Sequence, residues 1–390
     1  MAVRRAGDRA VRAFVTTTET FAPGTLSLPG RYYTSRDVFD AEREAIFARQ
    51  WICVGRAEEI EGRGDFFLTR IADESVIVLR DDEWRVRAFY NVCRHRGTAI
   101  CVAESGTLPG RLRCPYHGWA YDLSGRLVAA PLMDEVPGFD ARAYPLHSVP
   151  AEVCDGFIFI TLADAPASFA HAIETHFANF RFWALSELTA ARRIDYDVPA
   201  NWKIIVENYS ECYHCALVHA DFTRKVHPRS GRNDAFEGPL LGGFMDLRDG
   251  VASLTRTGAR CGPTLGTLDG EDLARVYFYA LFPTMTISLH PDYVMTFTLQ
   301  PVDAGRTTVR AEWLFPKAAL AENSCLPDEA VEFWDRTNRE DWRMCALVQQ
   351  GVRSRSYRPS PLSSTESLPA AFDRHVLRAL DGADGSSGST

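Results

Sequence analysis

Two short motifs, each joining a cysteine to a histidine, constrain this chain more than any other feature. The first is Cys93-Arg-His95 and the second is Cys114-Pro-Tyr-His117, with eighteen residues between the two motifs. A glycine follows each histidine within two residues, as expected where a tight loop turns. Four metal-binding side chains on two such loops predict a metal centre.

Two kinds of metal centre use two cysteines and two histidines. Structural zinc sites usually place the two cysteines close together in sequence and the two histidines close together further on. A Rieske [2Fe–2S] cluster uses the two cysteines on one iron and the two histidines on the other. Because each pair in this chain is mixed, the spacing favours the Rieske cluster over zinc. A Rieske cluster transfers single electrons, so a redox function is expected.

Length and composition limit the classes of protein to which the chain can belong. With 390 residues it is long enough for two domains. The formal net charge of −8 disfavours a nucleic-acid-binding surface. No apolar run reaches about 18 residues, and the first residues do not resemble a signal peptide, so no membrane partner is expected. The ten cysteines show no disulfide-framework spacing, which favours the cytoplasm.

The pattern of apolar residues predicts two domains of different kinds. A helix is expected after Ser35, followed by short strands that are separated by glycine and acidic turns. Further strands between residues 274 and 315, with helices on both sides, predict an antiparallel sheet. The expected fold class is therefore α+β. The predicted division is an N-terminal segment with a helix that packs on the larger domain, an all-β Rieske domain, the larger α+β domain and a disordered tail: residues 1–45, 46–165, 166–380 and 381–390.

A second group of metal-binding side chains lies further along the chain. His214 and His219 are five residues apart, slightly more than one helical turn, so both can reach one metal if the helix loosens between them. Two histidines and a carboxylate form the facial ligand set of non-haem Fe(II) oxygenases, which leaves coordination positions open. Because an electron donor needs an acceptor, the first motif favours an iron site here over two ordinary helix histidines.

The missing carboxylate is expected on a long helix that begins at Pro327 and ends near Gly351. Asp341 falls on a stripe of otherwise apolar or small side chains, where a carboxylate is costly unless a cation compensates it. Glu340 falls on another plausible stripe with Phe333. Periodicity alone does not choose between the two carboxylates, and it also allows both to be surface charges.

Together these motifs resemble the α subunits of Rieske non-haem iron oxygenases over about residues 30–380. The resemblance implies dioxygen as co-substrate. It also places the iron carboxylate in the segment of residues 338–345, which selects Asp341. The ligands implied are Cys93, His95, Cys114 and His117 for the [2Fe–2S] cluster, and His214, His219 and Asp341 for the mononuclear Fe(II).

One departure from the family pattern points to a subgroup. Many ring-hydroxylating members carry an aspartate three residues before the first iron histidine, where it bridges a cluster histidine of one subunit to the iron site of the next. This chain has Glu211 at that position. In this respect it resembles the oxygenases of glycine betaine, choline, carnitine and proline betaine. The resemblance implies a homotrimer, a bridging role for Glu211 and a catalytic role for Asn208.

The first-choice reaction implied is hydroxylation of an N-methyl group of glycine betaine, which gives dimethylglycine and formaldehyde. One alternative is an aromatic or natural-product substrate for the same kind of enzyme. Another is an electron-transfer protein without oxygenase activity. The sequence shows no GxGxxG fingerprint. Electrons are therefore expected from a separate NAD(P)H-dependent flavin and iron–sulfur reductase, or from a ferredoxin with its reductase.

A quaternary ammonium group has no N–H, so aromatic faces are expected to bind it. Six aromatic residues on or beside the later strands are candidates: Tyr277, Phe278, Tyr279, Phe282, Tyr293 and Phe297. Strand alternation allows about half of them to face the substrate, and core packing is the alternative for each. His290 is expected to be a polar residue at a strand end. Cys212, Cys215 and Cys345 are expected to pack beside the iron site.

Overall fold

The computed structural model of the protein describes residues 14–234 and 238–384. The chain begins with a short strand, two helices and one π-helical turn. Ser35 is the N-cap of the second helix, and its hydroxyl accepts the Val38 amide at 3.4 Å. In chain order these elements are β1 (Phe14–Thr16), α1 (Arg31–Thr34), α2 (Arg36–Glu42) and the π-helical turn (Arg43–Phe47).

Eleven strands form the small all-β domain, within the part of the chain that the structure describes. They are β2 (Ile52–Arg56), β3 (Asp65–Ile71), β4 (Glu74–Arg80), β5 (Val86–Tyr90), β6 (Ser105–Thr107), β7 (Arg111–Arg113), β8 (Ala120–Asp122), β9 (Leu127–Ala129), β10 (Ser148–Val149), β11 (Ala151–Cys154) and β12 (Phe157–Ile160). They pair antiparallel in three sheets, in the orders β10-β5-β4-β3-β6, β11-β12-β2 and β7-β8-β9. Their hairpins present the two Cys/His loops at one end.

An irregular helical stretch from residue 170 to 183, which includes α3 (Thr175–Phe177), leads into the second domain. Besides β1, this domain contains seven described strands: β13 (Leu188–Val198), β14 (Arg232–Asp234), β15 (Leu240–Asp246), β16 (Arg275–Leu281), β17 (Met285–Leu289), β18 (Val294–Asp303) and β19 (Arg306–Pro316). Its helices are α4 (Trp202–Tyr209), α5 (Cys215–Val218), α6 (Ala220–Thr223), α7 (Lys317–Ala321), α8 (Pro327–Val352) and α9 (Ser367–Asp384). The strands form one antiparallel sheet in the order β1-β14-β15-β16-β17-β18-β19-β13. The expected α+β fold class is confirmed.

Both faces of this large sheet are buried, and each face belongs to a different apolar cluster. Alternate residues of β17, namely Met285, Ile287 and Leu289, belong to a cluster with the helical stretch that contains Phe180 and Trp183. The opposite face packs against α4, α8 and α9, through residues such as Phe297 on β18. We call this second surface the helix face of the sheet. The second metal-binding group, which contains no cysteine, lies beside this face.

The N-terminal segment packs on the second domain through a buried ion pair. Lys203 Nζ lies 2.5 Å from Glu42 Oε1, and both side chains are fully buried. Trp202 Nε1 donates to the other Glu42 oxygen at 2.9 Å. Both Trp202 and Lys203 lie in the first turn of α4, so this contact fixes the start of the helix that leads to His214.

The end of the chain departs from the expected disordered tail. Helix α9 extends to Asp384, so residues 381–384 are helical, and residues 385–390 lie outside the described part. Among the described residues, no helix is long and apolar enough to cross a membrane. A cleft of about 480 Å³ lies between the two domains, lined by residues such as Phe67 and Leu299, and none of the predicted metal ligands borders it.

Candidate metal centres

The first candidate centre lies on two loops that fold in the same way. The Gly97 amide donates to the Cys93 carbonyl at 2.9 Å, and the Gly118 amide donates to the Cys114 carbonyl at 3.2 Å. Both glycines have positive φ, 75° and 74°, which a side chain would disfavour. In each motif the glycine lies four residues after the cysteine, so the two turns have the same length although the spacing from cysteine to histidine differs by one residue. The loops therefore hold the four side chains against one another.

The four side chains converge with the cysteines inside and the histidines outside. Cys93 and Cys114 are each 2 % exposed, whereas the His95 and His117 rings are exposed with their Nδ1 atoms 3.2 Å apart. Burial raises the pKa of the Cys93 thiol, so a nearby cation is needed to favour its thiolate. Two buried sulfurs and two nitrogens at the surface fit a cluster whose irons have different ligands.

The second candidate centre brings together His214, His219 and Asp341. One donor atom from each lies within 4.8 Å of the others. The two Nε2 atoms are 3.1 Å apart, and Asp341 Oδ1 lies 2.9 Å from Nε2 of His219 and 3.3 Å from Nε2 of His214. Three donors on one side of a common point fit the facial ligand set of a non-haem iron site.

Each histidine of this centre uses its other ring nitrogen to contact a second carboxylate. His219 Nδ1 lies 2.8 Å from Glu340 Oε2, and His214 Nδ1 contacts Glu211 Oε1. Periodicity did not decide whether Asp341 or Glu340 is the iron ligand, and the structure gives the two carboxylates different positions. Asp341 faces the common point, whereas Glu340 contacts the far side of one ring. Such outer contacts fix the orientation of a ligating imidazole.

The electrostatics of the second centre favour a cation. Burial lowers the pKa of His214, but hydrogen bonds to Asp341 and Glu211 outweigh it and raise that pKa to about 10. Burial likewise raises the pKa of Asp341, yet its hydrogen bonds to the two histidines hold it below the usual value. Without a metal the positive charge sits on imidazole, and with one it would sit on the ion.

Local backbone structure explains how two histidines five residues apart meet. Helix α4 ends at Tyr209, His214 precedes the single turn of α5, and His219 lies between α5 and α6. The four residues between the histidines form the helical turn, and the backbone leaves helical geometry at His219 (φ −113°, ψ 73°), so the expected loosening lies at the second histidine and not between the two. Asn208 is half-buried in the last turn of α4, and its catalytic role stays a prediction.

The three cysteines expected beside this centre pack in the apolar cluster of the helix face, and two of them are also joined to each other. Cys345 is buried. Cys212 and Cys215 are joined by a disulfide that spans the turn of His214, which the sequence did not predict. The Cα atoms of the pair are 4.9 Å apart.

The strand aromatics divide between the two faces of the sheet. Tyr277 and Tyr279 lie on the face away from the iron ligands, where their hydroxyls donate to Asp272 and Asp234, so their prediction as substrate residues is wrong. Phe282 contacts α9 at Phe372, and it is also outside the centre.

The helix face holds the remaining candidates. It carries Phe297 and the half-buried Phe278, and Tyr293 hydrogen-bonds Trp334 of α8. The face follows from the register, because Phe278 pairs with Ser288, whose hydroxyl contacts Tyr209 of α4.

Three aromatic rings beside His219 form a cluster that sequence reasoning missed as a group. The centroids of Phe222, Phe278 and Trp334 lie 6.1–6.3 Å from one another. The Phe222 ring is 6.2 Å from the His219 ring. Two signals were present in the sequence: Phe222 follows His219 by three residues, and Trp334 lies two helical turns before Asp341 on the same stripe. We call these three residues the aromatic triad.

Comparison with known proteins agrees with both centres. Residues 50–140 match the Rieske [2Fe-2S] domain, and residues 185–382 match the ring hydroxylating alpha subunit (catalytic domain). This chain belongs to the Rieske-type ring-hydroxylating oxygenase α subunits. The protein is accordingly an oxidoreductase, with a [2Fe–2S] cluster and a mononuclear iron as cofactors and dioxygen as co-substrate, as the sequence predicted.

Similar family members include two curated oxygenase subunits. The chain is 30% identical over 386 residues to the glycine betaine monooxygenase oxygenase subunit of Pseudomonas aeruginosa PAO1, covering 92% of this chain and 88% of the relative. It is 30% identical over 360 residues to the carnitine monooxygenase oxygenase subunit of Escherichia coli K12, covering 90% and 91%. A solved quaternary ammonium Rieske monooxygenase, CntA in complex with L-carnitine, aligns with a TM-score of 0.76 and 26% identity over 91% of this chain and 95% of CntA.

Proposed function

We propose that this protein is the terminal oxygenase that removes an N-methyl group from a quaternary ammonium compound, with glycine betaine as the first choice. The observation that carries the proposal is the aromatic triad beside His219, since aromatic faces are the means of binding a cation that has no N–H. The names of the glycine betaine and carnitine relatives support the same substrate class.

One group of side chains binds the substrate, and another orients the iron-binding histidines. Phe222, Phe278 and Trp334 hold the ammonium group and keep water from its methyl groups. Glu211 and Glu340 fix the rings of His214 and His219 by contacting their Nδ1 atoms. When bound, the iron supplies activation of dioxygen. The hydroxylated methyl then leaves as formaldehyde: the new hydroxyl loses its proton to water, its C=O bond forms, and the C–N bond breaks with its electron pair returning to nitrogen, which gives the tertiary amine.

The proposal includes delivery of electrons from a second copy of the chain. Within the described residues, neither cluster histidine contacts Glu211, so the bridge expected from the family needs another subunit. Both surfaces expose apolar side chains: Val102 and Tyr116 near the cluster, and Tyr213 and Leu217 near the iron ligands. A head-to-tail trimer would cover them. A separate NAD(P)H-dependent reductase, or a ferredoxin with its reductase, would reduce the cluster in the cytoplasm.

Release of formaldehyde tests the proposed function. The iron-loaded protein receives NADH, oxygen and a surrogate reductase, and glycine betaine, carnitine, choline and proline betaine are offered separately. We expect formaldehyde with glycine betaine in step with NADH consumption, and none from the Asp341→Ala variant. Silence with all four compounds, from protein whose cluster still reduces, would reject the substrate class and favour an aromatic or natural-product substrate.

A further inference from the structure

A buried histidine on the helix face of the sheet takes no part in the metal centres. His290 is 0 % exposed, and neither of its ring nitrogens has a hydrogen-bond partner among the described residues. An imidazole always presents at least one N–H donor. A buried donor without a partner costs free energy, so such a group needs an explanation.

The position of His290 places it next to the aromatic triad, on the helix face of the sheet. It follows β17 directly, and alternation puts it on the same face as Ser288, whose hydroxyl contacts Tyr209 of α4. Its ring lies 5.6 Å from the Trp334 ring, edge to face. Because Trp334 belongs to the aromatic triad, His290 adjoins the proposed ammonium site through this ring.

The neighbours of His290 hold its ring without satisfying its nitrogens. The Tyr293 ring stacks on it at 4.0 Å with an interplanar angle of 13°. The Tyr293 hydroxyl is engaged elsewhere, since it donates to the Leu254 carbonyl and accepts from Trp334. The carboxylate nearest in sequence, Asp292, accepts from Ser253 and from the Cys261 amide. The stacked ring thus holds the imidazole in place, and the polar atoms of these neighbours are engaged with other groups.

We propose that His290 donates a hydrogen bond to the carboxylate of a zwitterionic substrate whose ammonium group occupies the aromatic triad. The inference rests on the proposed function and narrows it, from quaternary ammonium compounds in general to betaines. Burial holds the pKa of His290 far below its ordinary value, so the ring is neutral and acts as a donor without a fixed charge. A site built in this way discriminates against choline, which ends in a hydroxyl in place of a carboxylate.

Equilibrium binding to the iron-loaded protein tests this role. Isothermal titration calorimetry compares glycine betaine with choline on the wild type, on His290→Phe, which keeps a flat ring against Tyr293, and on His290→Asn, which keeps an N–H donor. We expect His290→Phe to weaken glycine betaine roughly 10- to 100-fold, as for loss of a hydrogen bond to a charged group, and choline less than about threefold. His290→Asn should retain part of the preference.

Phe278→Leu is the matched control, because it removes an aromatic face and should weaken both ligands alike. Equal effects of His290→Phe on the two ligands, or none, would overturn the inference and leave a packing role. If His290→Phe does not fold, the wild type decides: it must bind glycine betaine at least about tenfold more tightly than choline. A wild type that binds neither ligand rejects the proposed function itself, and this inference with it.

Discussion

Replacing Asp341 and Glu340 separately with alanine should reduce iron binding to very different extents, although the two are adjacent on α8. Asp341 Oδ1 lies 2.9 Å from His219 Nε2 and 3.3 Å from His214 Nε2, so its loss removes one of three donors. Glu340 contacts only the far nitrogen of His219, at 2.8 Å. Loss of such an outer contact typically weakens metal binding by about 10- to 100-fold, or roughly 1.4–2.8 kcal/mol.

The assay is iron per chain, with the visible spectrum as a check on the cluster. Two irons belong to the cluster and one to the mononuclear site, so the wild type should hold about three per chain. We expect about two in Asp341→Ala, with an unchanged cluster spectrum and no turnover. Glu340→Ala should reach about three at high iron concentration and lose the third more readily on dialysis against a mild chelator.

A reversed outcome would refute the assignment of the two carboxylates. If Glu340→Ala lost the third iron at every iron concentration while Asp341→Ala kept it, Glu340 would be the ligand. Loss of the cluster spectrum in either variant would instead indicate general unfolding. In that case Asp341→Asn and Glu340→Gln, which preserve side-chain size, would repeat the comparison.

Three further predictions concern the substrate surface, the electron path and the stability of the Rieske domain. Trp334→Leu should raise the KM for the quaternary ammonium substrate about 2- to 30-fold, because one cation–π contact is lost. Tyr277→Phe, on the opposite face of the sheet, should leave KM unchanged. If both variants behaved alike in steady-state kinetics, the placement of the substrate would be contradicted. Glu211→Gln should keep its iron but slow oxidation of the reduced cluster by substrate and oxygen in single-turnover measurements, and an unchanged rate would remove Glu211 from the path. Burial raises the pKa of Asp81, but hydrogen bonds from Arg87 and from backbone amides lower it below 3.8, so its stabilisation is present above that value and is lost as pH falls through the lowered pKa. Asp81→Asn should therefore reduce the free energy of unfolding by about 1–3 kcal/mol at pH 7, as measured by urea titrations followed by cluster absorbance. The difference in this free energy from wild type should shrink only below about pH 4. A difference that already fades between pH 7 and 5 would contradict this prediction.

The cluster ligands could be predicted because everything that defines them is local. Each Cys/His pair lies on one tight loop, and the glycine that closes the loop is close in sequence. The iron histidines are local in the same sense, since His214 and His219 flank the single turn of α5. The carboxylate is different, because it comes from a helix more than a hundred residues away. There periodicity identified the helix and its stripe, but both Glu340 and Asp341 reach the site from one turn of α8.

The substrate surface could not be predicted from strand alternation for a physical reason. Alternation separates Tyr277 and Tyr279 from Phe278 correctly, but it does not say which set faces the iron. In a sheet with one solvated face, polarity would decide; here both faces are buried, so both sets are apolar. Only the packing of α4 and α8 on one face distinguishes them.

The same reasoning explains why His290 stood out only in three dimensions. In sequence it is one polar residue after an apolar strand, which is typical of a strand end. In the structure β17 is covered on both faces, so that strand end is as buried as its middle. A histidine at this position needs a hydrogen-bond partner, either within the protein or on a bound ligand. The described protein offers none to its ring nitrogens, while both flanking aromatic rings have their polar atoms engaged with each other or with backbone. The proposed acceptor is the substrate carboxylate, and the binding preference for betaine over choline is the measurement that tests it.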